Sequence, residues 1–165
     1  MDSDENGLTR AEQAGIVVRQ LRSSDLQRLL RMDEAITGRK RVAWFERRLK
    51  LALEETDIRI SLGAEKEGLL VGALMGAVHF GEFGVLEPVA VLDTVLVDPE
   101  FGRSGIATEM FAQFVQSLRA LRIARVRTEV DWNDQDLVAF FGKAGFRPVA
   151  RLVLECACRG DENSD

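Results

Sequence analysis

Three patterns meet between residues 89 and 121, and together they restrict what this chain can fold into. Val89 to Val97 is a nearly unbroken apolar run, interrupted only by Asp93 and Thr94, as a central strand covered on both faces requires. Pro99 ends it, because proline has no N–H to give to a ladder. Gly102 and Gly105 then open backbone conformations closed to other residues. Directly after them, Ile106, Met110, Phe111, Phe114, Val115, Leu118 and Leu121 recur at helical spacing. A buried strand, a glycine loop and a long amphipathic helix in succession belong to a layered α/β domain.

The loop also has chemistry of its own. The first amides of a helix lack intrahelical partners, and the helix dipole adds positive potential, so the junction suits an anion. Gly105 and Ala107 are small enough to let a phosphate approach the backbone, and Arg103 places a full charge beside it. No Gly-Lys-Ser/Thr follows and no Gly-x-Gly-x-x-Gly is present, which excludes the two common nucleotide loops. On spacing alone, a loop that merely turns a strand into a helix accounts for the residues as well.

The rest of the chain supplies partners for this unit. Gly15 to Leu21 reads as a strand, and Ser23-Ser24-Asp25 as the cap of a helix carrying Leu26, Leu29, Leu30 and Met32. Gly38 to Arg41 breaks it, and a second helix runs through Trp44, Phe45, Leu49, Leu51 and Leu53. Ile58 to Gly63 reads as a strand, Glu65 to Gly68 as a hairpin turn, and Leu69 to Phe80 as a long strand. Val126, Thr128 and Val130 alternate with charged residues as a strand does. Asp134 to Ala144 reads as a short helix stopped by Gly145, and Phe146 to Cys156 as a final strand. The predicted order is β-α-α-β-β-β-α-β-α-β, a mixed α/β domain over residues 15–157 between acidic tails at 1–14 and 158–165.

Composition narrows the function. The 165 residues are 46% hydrophobic and 30% charged, an ordinary globular balance with enough chain for a core of its own. Seven of the 27 acids and two of the 22 Lys and Arg lie in the two tails, leaving 20 of each, so the body offers no general grip on nucleic acid. No run approaches the roughly 18 to 20 apolar residues that span a bilayer, and the acidic beginning lacks a secretory apolar segment. A cytoplasmic protein with no membrane or nucleic-acid partner is the expectation. One histidine, His79, and two cysteines, Cys156 and Cys158, argue against a metal site and against a covalent cysteine route.

Val97-x-Pro99 followed by Gly105-Ile106-Ala107 at a helix start resembles the acyl-CoA pyrophosphate loop of the GCN5-related N-acetyltransferase (GNAT) superfamily. Asn133 and the stretch Ala139-Phe-Phe-Gly-Lys-Ala-Gly-Phe146 are similar to its second landmark. The resemblance runs from residue 15 to about 156 and implies a mixed sheet with splayed parallel central strands. It implies acetyl-CoA as cosubstrate, a primary amine as acceptor and direct attack in a ternary complex, with a homodimer left open.

By the same resemblance, the amides of Gly102, Arg103, Ser104, Gly105, Ile106 and Ala107 cradle the pyrophosphate, with Thr108 behind. Val95, Leu96 and Val97 bond the pantetheine arm, Phe140, Phe141 and Lys143 flank the arm and the adenine end, and Asn133 of the second landmark is a further cofactor-binding residue. Two departures stand out. Gly102 replaces the usual Arg or Gln, and Phe141 falls where the family commonly has the Tyr that protonates the leaving thiolate. A thiolate of pKa near ~8.5 can leave unassisted, so the loss slows turnover without abolishing it.

Direct attack needs a neutral amine, so a base is required. Asp93, inside an apolar strand where burial would raise its pKa, is one candidate. Glu129, twelve residues before Phe141, is the second, by resemblance to the base position of ribosomal-protein alanine N-acetyltransferases, and Glu82 on the loop after the long strand is the third. For Asp93 a satisfied buried carboxylate that holds a loop is the plain alternative, and for Glu129 an exposed partner of Arg125 or Arg127. The basic run Arg39-Lys40-Arg41 with Arg47, Arg48 and Lys50 reads either as a solvated helical face or as a surface for acidic groups. The rival function is an acyl-CoA-binding module with little or no turnover.

Overall fold

The computed structural model describes residues 15–54, 58–81, 84 and 86–158. The chain packs as two units, one ending at Asp131 and the other beginning at Trp132.

The first unit contains β1 (Ile16–Gln20), α1 (Leu26–Thr37), α2 (Val42–Leu53), β2 (Leu62–Lys66), β3 (Leu69–His79), β4 (Val89–Val97), α3 (Ile106–Ala120) and β5 (Arg125–Thr128). The five strands form one sheet in sequence order, antiparallel from β1 to β4 and parallel between β4 and β5. One face is covered by α1 and α2, whose Leu29, Leu30, Met32, Phe45 and Leu49 pack with Leu21, Leu70, Ala73, Met75 and Leu96. The other receives α3 through Ile106, Met110, Phe114 and Leu118, one side chain per turn and all buried.

Gly72 explains how closely α3 sits. A Cβ there would lie 2.7 Å from Ile106 Cγ2 and 3.0 Å from Met110 Cε, so only glycine lets the helix onto the strand. At the start of the chain, the buried Asp25 takes two hydrogen bonds from Arg19 at 2.9 Å and one from Arg22 N at 2.7 Å. Burial alone would raise this carboxyl. The bonds from Arg19 and Arg22 outweigh it and hold Asp25 below its ordinary value of 3.8.

Two expectations shift. The strand expected at Ile58 to Gly63 lies at Leu62–Lys66, because pairing begins only where Leu62 faces Gln20 and Leu74. Ile60 and Ser61 are buried ahead of it, and Ser61 is held by a bond from Leu21 N to its carbonyl at 3.3 Å and by its hydroxyl, which accepts from Gly76 N at 3.3 Å. The final strand expected at Phe146 to Cys156 is not formed. That stretch has strand-like composition but pairs with no strand among the described residues, and Val149, Leu152, Val153 and Leu154 are exposed.

The second unit holds α4 (Gln135–Lys143), capped by the Asp134 carboxylate accepting from Leu137 N at 3.0 Å. Within it Phe141 is buried, edge-on to Phe140 at 5.2 Å and to Phe146 at 4.8 Å between ring centroids.

Candidate active site

The glycine loop is bolted to the sheet at Asp98. The Asp98 amide donates to Val71 O at 2.9 Å, and its buried carboxylate accepts from Glu100 N at 2.9 Å and from the guanidinium of Arg28. Arg28, on α1, also donates through Nε to Leu70 O at 2.8 Å. Pro99–Phe101 makes one 3-10 turn, with Phe101 N donating to Asp98 O at 2.9 Å and Gly102 N to Pro99 O at 3.3 Å. Ser104 Oγ donates to Phe101 O at 2.5 Å.

Beyond that turn the backbone changes hand twice. Arg103 has φ +60° and Gly105, the residue that opens α3, has φ +80°. The first α3 residue to donate back into the helix is Glu109, to Gly105 O at 2.9 Å, so Ile106, Ala107 and Thr108 precede the intrahelical pattern. Ile106 is buried as the anchor, whereas Arg103 and Thr108 are exposed and Ser104, Gly105 and Ala107 half-buried. The loop thus presents a row of N–H groups at the positive end of a 15-residue helix. Gly102 has φ −57° and ψ 152°, extended backbone that any residue adopts.

Beside the loop the sheet forks. The β4–β5 ladder runs from Val89↔Arg125 to Leu92↔Thr128 and stops, while β4 continues for five more residues. Thr128 Oγ1 accepts no ladder role but donates to Leu92 O at 2.8 Å, capping the last pair. Val95, Leu96 and Val97 lie past that point, on the stretch of β4 that no longer pairs with β5.

Asp93 sits at the fork. In the β3–β4 register Met75 faces Thr94 and Gly76 faces Leu92, so Asp93 is an extra residue, a β-bulge. The expected burial of Asp93 is corrected here. The bulge takes it out of the strand's alternation, and it is exposed, with its carboxylate accepting from Thr94 Oγ1 at 2.7 Å and from Arg48. Arg48 comes from α2. Burial lowers it from an ordinary guanidinium's value, yet it stays charged and paired with Asp93. Its Nε is buried with no hydrogen-bond partner among the described residues.

The other expected residues are placed as follows. Glu129 is exposed, immediately after β5. Glu82 lies outside the described residues. Asn133, Phe140, Phe141 and Lys143 belong to the second unit, Asn133 before α4 and the other three on it. His79 ends β3 and is exposed. In the basic run, Lys40 pairs with Glu34 at 3.9 Å, Arg41 with the fully buried Asp33, and Arg48 with Asp93. Asp33 raises Arg41, which lies 4.9 Å from the centre of the Trp44 ring. Sequence reasoning missed Arg28 and the pairing role of Arg48. Among the described residues no helix is long and apolar enough to cross a membrane.

The site thus combines a five-stranded mixed sheet between helices with a strand–glycine loop–helix beside a fork in its parallel pair. The chain belongs to the acetyltransferase (GNAT) family, whose model matches residues 25–146. No curated protein sequence matches it. Its fold is similar to the aminoglycoside 6'-N-acetyltransferase AAC(6')-Ih of Acinetobacter baumannii, at 19% identity and TM-score 0.73 over 88% of this chain and 100% of that one. It is also similar to the aminoglycoside N-acetyltransferase AAC(6')-Iy in complex with CoA, at 15% identity and TM-score 0.69 over 87% and 95%. A third similar structure is glucosamine-6-phosphate N-acetyltransferase from Arabidopsis thaliana, at 14% identity and TM-score 0.67 over 86% and 97%.

Proposed function

We propose that the chain transfers an acetyl group from acetyl-CoA to a primary amine by direct attack in a ternary complex. The observation that carries this reading is the coincidence of an anion-suited helix start, Arg103 to Thr108, with a strand edge left open by the fork one element earlier. The N–H row takes the diphosphate of the cosubstrate, and the open stretch Val95–Val97 takes the amide-rich arm as an added strand would be taken. A β4 amide there polarises the thioester carbonyl as attack proceeds. Asn133, Phe140, Phe141 and Lys143 are assigned to the arm by family resemblance.

For the base, the structural facts support Glu129 over Asp93. Glu129 is exposed next to the fork, whereas the Asp93 carboxylate is committed to Arg48 and Thr94 Oγ1. Phe141 supplies no proton to the thiolate, which leaves as the anion.

Phe141 also favours a second reading, an acyl-CoA-binding module without turnover. CoA release measured by thiol titration across a panel of amines, beside a CoA binding isotherm, separates the two. Binding with acceptor-dependent CoA release supports the transferase; binding without release on any amine supports the module.

A further inference from the structure

We infer that Arg48 is a positioning residue: by holding the Asp93 bulge it sets the course of the open β4 edge on which the acyl-CoA arm lies. The inference rests on the acetyl-CoA reading above. An extra residue in a strand has no partner across the ladder, so side-chain contacts must fix its orientation. Asp93 has two. Thr94 Oγ1 donates to one carboxylate oxygen at 2.7 Å from the neighbouring residue, and Arg48 binds the other from 45 residues away.

The surroundings leave little freedom. A Cβ on Gly76 would lie 2.7 Å from Val91 O, so β3 and β4 are pressed together beside the bulge and the extra residue must bow away from β3. On the other side the β4–β5 ladder ends at Leu92, the residue before Asp93, closed by the Thr128 hydroxyl. Bulge and fork therefore coincide. The direction in which Thr94 to Val97 leave the ladder is decided at the one residue that Arg48 grips.

Arg48 is placed for this contact. Its side chain is 23% exposed, and its buried Nε has no partner among the described residues. A half-buried guanidinium with one buried donor unsatisfied is tolerated where its other end makes a charge-assisted bond, and here that bond goes to Asp93. The pair also ties α2 to the fork, across a span that the sheet's own hydrogen bonds do not cover.

The test is amide hydrogen exchange with and without saturating CoA, beside a CoA binding isotherm, for the wild-type chain, Arg48→Met, Arg48→Lys and Asp93→Asn. In the wild type, CoA should protect both the Arg103–Thr108 amides and the Thr94–Val97 amides. In Arg48→Met, protection at Arg103–Thr108 should persist while that at Thr94–Val97 is lost, and CoA should bind about tenfold more weakly. Asp93→Asn should behave alike, and Arg48→Lys should recover part of both signals. If Arg48→Met fails to fold, Arg48→Lys and Asp93→Asn carry the comparison. Unchanged protection at Thr94–Val97 in the variants, or equal loss at both segments, would overturn the role of Arg48. No protection anywhere in the wild type would overturn the acetyl-CoA reading, and this inference with it.

Discussion

Arg28 on α1 and Asp98 at the foot of the glycine loop, 70 residues apart in sequence, form an ion pair that fastens the loop to the helical layer. The Asp98 side chain is 8% exposed, so removing its cation leaves a buried carboxylate short of charge. Arg28→Met should cost about 2 kcal/mol, below the full cost of breaking a wholly buried pair because Arg28 is partly solvated. Urea denaturation of the variant against the wild type measures it.

The two glycines of the loop should respond in opposite ways. Gly102 has extended backbone, and a Cβ on it would meet only Pro99 O at 3.4 Å. Gly102→Gln should therefore leave stability within about 0.5 kcal/mol and tighten CoA binding by adding a donor beside the diphosphate. Gly105, at φ +80°, cannot take a side chain without strain. Gly105→Ala should cost about 1 kcal/mol and weaken CoA binding. Melting curves and binding isotherms for both variants check the pair of outcomes.

Gly72→Ala should push α3 off the sheet, because the new methyl would fall 2.7 Å from Ile106 Cγ2. Overpacking of this kind costs roughly 1–3 kcal/mol. Ile106 is the first residue of α3, so the same change should displace the N–H row and lower CoA affinity beyond what the stability loss alone predicts. Denaturation and CoA titration of this one variant report both effects.

Much of this fold is written locally. The 89–121 junction could be read because proline, glycine and a four-residue apolar repeat each act within a few residues of themselves. Where pairing depends on a distant partner, sequence reading loses its hold. The apolar run at Ile58 does not say that the strand waits for Leu62, and the strand-like composition after Phe146 does not supply an edge to join. The candidate site divides the same way. Gly102 and Gly105 announce themselves, whereas Arg28 meets Asp98 and Arg48 meets Asp93 only because the sheet brings residues 70 and 45 positions apart together. Asp93 was legible as an odd residue in a strand, but its bulge was not, since a bulge is a property of two strands.

Acid should weaken the fold partly through Asp25. Its carboxyl lies below its ordinary value of 3.8, held there by Arg19 and Arg22. A depressed acid stabilises the folded chain fully above the unfolded value and progressively less as pH falls through the folded one. Stability should therefore decline as pH drops below about 4, and Asp25→Asn should show a shallower decline over that window while being less stable at pH 7. Denaturant midpoints measured from pH 7 downward distinguish the two chains.

The central claim is that the N–H row at the start of α3 grips the diphosphate of acyl-CoA. Calorimetric titration of CoA into the wild-type chain and into Gly105→Asp tests it most directly. A saturable heat in the wild type that vanishes in the variant, whose carboxylate would occupy the anion's place, is the predicted result. No heat in the wild type, or undiminished affinity in Gly105→Asp, would contradict it.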